Sequence, residues 1–436
     1  MGFFHDAFWF AVLLGVMILV HELGHFWAAV SVGIKVETFS IGFGSRLFGF
    51  KRGETDFRVS AIPLGGYVRM LGEQPGDDKA ADPRAFQAKK RWQRAIVIIA
   101  GPLMNVVLAI AIVAGLYMHG VQTEVEQSKA VVSSITPGSP AAQAGLQPGD
   151  KIIDFAGQAN PSWPDVVMKT AMNANRSLPI VVDRHGQKLH LSVTPRMDPK
   201  EGLGSAGWNG GVQVAEIVKG MPAAKAGLHP GDSFIKVNGQ AISSPDTVRD
   251  AIMKSGGKPV DFVIARAGEF QNVSVIPQRS SDPKTPYQIG IYFQRRPEFV
   301  KLGIGAALAQ SLTFNKQNAL LIYQLLGGII EHRVSPKSAL AGPIQIAQMS
   351  SEAAHEGATS YLTIMALISL NLAVFNLLPI PILDGGTLLL LIIEMLLQRE
   401  VSVQVKETVF KIGFVCLMAI VVFAIYNDIS RILTKS

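Results

Sequence analysis

Four long, mostly apolar runs punctuate this chain, near 7–32, 95–118, 361–397 and 412–425. Read as helices, the last extended over about 408–426, they reach the roughly 20 residues that cross a bilayer. Between 119 and 300 polar and apolar positions mix as in an ordinary soluble protein. The pattern predicts a multi-span α-helical membrane protein with a large insert between spans two and three. The third run is interrupted over 376–386, Asn-Leu-Leu-Pro-Ile-Pro-Ile-Leu-Asp-Gly-Gly, where two prolines and two glycines break the helix. Unwound backbone at that depth is tolerated only where it is buried in protein or lines a cavity. The second run contains Gly101-Pro102-Leu103-Met104-Asn105, a kink site followed by a polar group that needs a partner. Spans one and two make one half of a core, 1–118. Spans three and four make the other, 357–436, and 298–356 reads as an amphipathic, interfacial helical region.

Alternation with period two marks strands elsewhere. Phe39, Ile41 and Phe43 alternate within 36–43, and 56–61 alternates again, which predicts a cytoplasmic or membrane-embedded β-hairpin. The segment 62–68, with Gly65 and Gly66, should bend its second strand. The insert holds an internal repeat. Segments 134–159 and 216–241, offset by 82 residues, share 15 of 26 positions. Each predicts a strand, a short helix (140–145; 222–227), a Pro-Gly-Asp turn and a second strand, with Ile153 and Ile235 pointing into the cores. The shared S-P-A-x-x-A-G-L-x-x-G-D-x-I resembles the signature of bacterial protease PDZ domains, from which the second copy departs at Met221 and Phe234. The modules are assigned to 128–208 and 209–282. The resemblance implies capture of peptide C-termini by strand addition, beside the alternative of a purely steric barrier.

Charge orients the chain. Twelve Lys or Arg fall within 35–94, and residues 1–6 carry none. By the positive-inside rule, 33–94 is cytoplasmic, and both termini and the insert lie outside. The net charge of +7 hugs a span end without interleaved aromatics, so nucleic acid is not an expected partner. The single cysteine, Cys416, rules out an intramolecular disulfide and a cysteine-based zinc site. The first apolar run lacks the basic start and the cleavage site of a signal peptide.

The chemistry sits in span one, as His21-Glu22-Leu23-Gly24-His25. Positions i and i+4 share a helix face, so both histidines can reach one metal ion. Glu22 stands where a hydrolytic metal needs a general base. Two histidines leave a catalytic zinc short of one protein ligand. Asp384, the lone acid between Glu356 and Glu394, is the best candidate. Asn371 and Asn376, on or near the break, could hold the substrate backbone. A non-catalytic PDZ scaffold has no use for Glu22, and a zinc transporter wants polar residues along spans two and four that are almost absent.

H-E-x-x-H in span one, G-P-x-x-N in span two, a tandem PDZ insert and N-x-x-P-x-P-x-L-D-G in span three together resemble the site-2 protease family. The resemblance covers essentially the whole chain. It implies an intramembrane zinc metalloprotease with Zn²⁺ on His21, His25 and Asp384, Glu22 catalytic and Asn376 on substrate. It also implies a bacterial inner-membrane location. The implied substrates are single-span membrane proteins: an anti-sigma factor already cut by a site-1 protease in an envelope stress response, and remnant signal peptides. A substrate helix hides its peptide bonds and must unwind. A strand edge near 36–61, followed by Gly65-Gly66, could hold it as an added strand.

Overall fold

The computed structural model describes residues 2–73, 81–123, 130–199, 201–210, 212–242, 244–266, 269–280, 285–293, 298–339 and 341–435. The chain forms two compact units. One comprises residues 1–121, 301–323 and 340–436; the other comprises 122–300 and 324–339.

In the first unit, α1 (Gly2–Ser31) leads into two long strands, β1 (Val36–Arg52) and β2 (Thr55–Met70), and then α2 (Arg91–His119). Later come α3 (Ile304–Ile330, in this unit to residue 323), α4 (Pro343–Glu356), α5 (Ala358–Asn376), α6 (Asp384–Leu397) and α7 (Val403–Lys435). Among the described residues, four helices are long and apolar enough to cross a membrane: 5–31, 91–119, 358–376 and 403–431. Most of α7 presents bare apolar side chains such as Phe414, Val415 and Val422, as a helix facing lipid would.

The hairpin is more elaborate than the expected pair of strands. β1 and β2 pair antiparallel with repeated register shifts, and Phe39 stands opposite both Phe57 and Val68. The sheet therefore folds back on itself, and β2 runs on through the expected bend to Met70, with Gly66 opposite Ile41. The physical reason is burial. Phe39, Val68 and Met70 join Ile34, Val36, Phe86, Val97 and Ile98 in a core between α1, α2 and the strands.

The break after α5 spans 377–383 and contains Ile382 at φ +83°, a left-handed conformation that a β-branched residue adopts only under constraint. A Cβ at Gly385 or Gly386 would run into the backbone of Leu377–Leu378 or of Ile380. These two glycines let the start of α6 pack against the broken segment.

In the second unit, each repeat builds its own core, around Phe155 and Ile180 in the first and Phe234 and Phe262 in the second. The Pro-Gly-Asp turns are fixed identically. Asp150 accepts two bonds from Arg184, both at 2.7 Å, and one from the Gln147 amide. Asp232 accepts the same set from Arg266 and His229. Hydrogen bonding to the carboxylate holds both guanidiniums above their ordinary pKa. Ile235 is buried as expected, but in the first module Ile152 fills the core and Ile153 is half-buried. Strand pairing places 208–210 with the first module and carries the second through Ile291–Tyr292. The expected module edges at 128 and 282 lie outside the described residues.

Candidate metal centre

Residues 21–25 lie inside α1, so His21 and His25 sit one turn apart, edge to face, with ring centroids at 4.8 Å. Their Nε2 atoms approach to 3.2 Å. Asp384 opens α6, where the helix dipole favours a carboxylate. Its oxygens lie 3.3 Å from His21 Nε2 and 3.6 Å from His25 Nε2. Among the described residues this is the one cluster of three or more such ligand types. A tetrahedron with bonds of about 2.0–2.1 Å has edges of about 3.3 Å. The donor set and its spacing therefore fit zinc.

The surroundings hold the donors in place. His25 Nδ1 lies 2.8 Å from the Val97 carbonyl, which can only accept, so Nδ1 carries the proton and Nε2 offers its lone pair to the centre. A Cβ at Gly101 would overlap the His25 ring, and one at Gly24 would overlap the Ala100 carbonyl and Met104. These two glycines bring α1 and α2 into contact at the motif. Gly66 does the same for β2, since a Cβ there would meet Ile18 at 2.9 Å and Glu22 Cγ at 3.1 Å.

The centre opens into a cavity of about 970 Å³. Its wall carries many ionisable groups: Glu22, Glu37, Arg69, Glu73, Arg94, Glu394 and Lys406. Glu394 is buried and paired with Lys406 at 2.7 Å and Arg94 at 3.8 Å, linking α6, α7 and α2. Burial pushes the Glu73 carboxyl above its ordinary value, against the opposing hydrogen bond from the Met70 amide. Such a lining admits the water that hydrolysis consumes.

The structure thus brings together His21, Glu22, His25, Asp384 and Gly66. Gly65 instead abuts the Phe43 ring. Asn371 and Asn376 lie on α5, half-buried, outside the described cavity lining. Asn105, for which the sequence left helix packing and a role near the site equally open, is fully buried with its amide nitrogen 3.3 Å from His21 Nδ1. Its place in G-P-x-x-N, one turn beyond Gly101, was the available signal.

Two histidines and an adjacent glutamate on a helix of membrane-crossing length, facing a carboxylate at the start of α6, make the donor set of a membrane-embedded metallohydrolase. Residues 9–420 match Peptidase family M50, and the chain belongs to that family, as a zinc metalloprotease of the site-2 type. It is 35% identical to a Regulator of sigma E protease from Haemophilus influenzae, covering 97% of this chain and 98% of that one. It is 32% identical to a Putative zinc metalloprotease from Vibrio cholerae, covering 98% and 100%. It is 33% identical to the Regulator of sigma-E protease RseP of Escherichia coli, covering 99% and 100%. Among solved structures, the PDZ domain of an SdrC-like protein from Listeria monocytogenes is similar at 25% identity, with a TM-score of 0.17, covering 18% of this chain and 82% of that one.

Proposed function

We propose that this protein cuts peptide bonds inside the membrane-spanning segment of single-span proteins, with His21, His25 and Asp384 holding one zinc and Glu22 as general base. The observation that supports this most is the triangle of donors beside Glu22, on a helix otherwise built for lipid. Zinc bound there supplies Lewis acidity toward a carbonyl and a water. Glu22 takes the proton of the attacking water and returns it to the leaving amine. β2 at Gly66–Val68 runs beside Glu22 and offers backbone groups to an unwound substrate segment.

The relatives' names speak of sigma-E regulation. Taken with the resemblance to site-2 proteases, this supports an anti-sigma factor already cut on its outer side as one substrate, and that resemblance alone implies remnant signal peptides as a second class. The basic 35–94 segment supports a cytoplasmic hairpin, with both termini and the PDZ modules on the outer side of an inner membrane. There the modules act as a size filter that bars substrates with bulky outer domains. Elemental analysis of the purified protein tests the centre. The wild type and Glu22→Gln should carry one zinc per chain, and His21→Ala, His25→Ala and Asp384→Ala should lose it. Full zinc in all three alanine variants refutes the centre.

A further inference from the structure

His25 has its tautomer dictated by the Val97 carbonyl, whereas among the described residues the partner of His21 Nδ1 is a side chain. That side chain, Asn105, is entirely buried. Asn105 is held from behind by the Ser369 hydroxyl, which donates to the Asn105 backbone carbonyl at 3.0 Å. The other end of the Asn105 amide, Oδ1, is buried without a partner. A buried polar atom left unpaired is destabilising, and leucine would fill the space without one. The amide is therefore explained by what it does for His21.

An amide is nearly symmetric in shape and can present either end. With its NH₂ toward His21, Nδ1 must be the lone pair and Nε2 carries the hydrogen, which then points among the other donors and competes with a cation. With its oxygen toward His21, Nδ1–H is held and Nε2 is free, as in His25. We propose that Asn105 is the positioning residue of His21: its side-chain oxygen accepts Nδ1–H and so fixes the ring and the tautomer that a metal ligand needs. This rests on the reading of His21 as a zinc ligand.

The test measures zinc affinity of the full-length protein in detergent, by competition with a chromophoric chelator. Asn105→Leu keeps the branched outline at a larger volume and removes the acceptor, and should weaken zinc binding about 10- to 100-fold. Asn105→Asp keeps an acceptor for Nδ1–H and should stay within about threefold of wild type. Ser369→Ala removes a support of Asn105 but leaves its acceptor in place, and should weaken zinc binding less than Asn105→Leu does. Where Asn105→Leu fails to fold, Asn105→Ala against Asn105→Asp makes the same comparison. Wild-type affinity in Asn105→Leu, or an Asn105→Asp as weak as Asn105→Leu, overturns the proposal while His21→Ala still loses zinc. Wild-type affinity in His21→Ala overturns the ligand reading itself.

Discussion

Gly101→Ala puts two opposing effects on one methyl group. Gly101 lies inside α2, where alanine is favoured over glycine by about 0.5–1 kcal/mol through backbone entropy. The added Cβ would stand 2.6 Å from His25 Cε1 and 2.8 Å from Cδ2, far inside van der Waals contact. The clash falls on the ring itself, so relief requires His25 to turn away from Asp384 and the Val97 carbonyl or α1 to back off α2. Either motion opens the donor triangle, whose sides are 3.2, 3.3 and 3.6 Å. Disturbing support of this kind lowers metal affinity or activity by about 10- to 100-fold, or about 1.4–2.7 kcal/mol. The metal-free protein should then unfold no earlier than wild type within about 1 kcal/mol, provided α1 gives way locally. Chelator competition and thermal unfolding in EDTA, run on the same preparations, separate the two effects. Gly101→Ala with wild-type zinc affinity would show that His25 is not pressed against α2, and would refute the packing described.

Asp150→Ala should destabilise the first PDZ-like module by about 3 kcal/mol, the low end for breaking a buried pair because Arg184 keeps some solvent contact. Asp232→Ala should do the same to the second, and hydrogen exchange on the full chain should show each loss confined to its own module. The Glu73 carboxyl holds its proton more tightly folded than unfolded, so its contribution declines as pH rises from its ordinary value of 4.5 through the raised folded value. Glu73→Gln should therefore raise Tm at pH 8, with the gain shrinking toward pH 4.5; a pH-independent difference would contradict this. Replacing 130–293 with a short linker should spare cutting of a trimmed substrate and improve cutting of one with a bulky outer domain. Loss of both, with zinc retained, would favour obligatory peptide capture.

Much of this architecture was legible in sequence because it depends on residue type at fixed spacing. A 26-residue apolar run, a proline-broken span and histidines at i and i+4 each have few alternative readings. The site between elements was less legible. Asp384 stood out because an acid at membrane depth is costly, and the same reasoning drew attention to Asn376, which the structure leaves outside the described cavity lining. Polarity marks a residue as needing a partner without saying which one. Asn105 needed the pairing of α1 with α2, set by glycines 24 and 101, before its partner could be named. The double pairing of β1 with β2 was hidden for a related reason: alternation marks strands and their faces but is silent on how many partners a strand takes.

The central claim is metal-dependent cutting within a membrane segment. Purified protein in lipid vesicles, given a single-span substrate already shortened on its outer side, should yield products whose masses place the cut inside the apolar segment. Glu22→Gln, zinc-loaded, should yield none, and chelation should silence the wild type reversibly. Cutting outside the segment, or cutting by Glu22→Gln at the wild-type rate, would contradict the account.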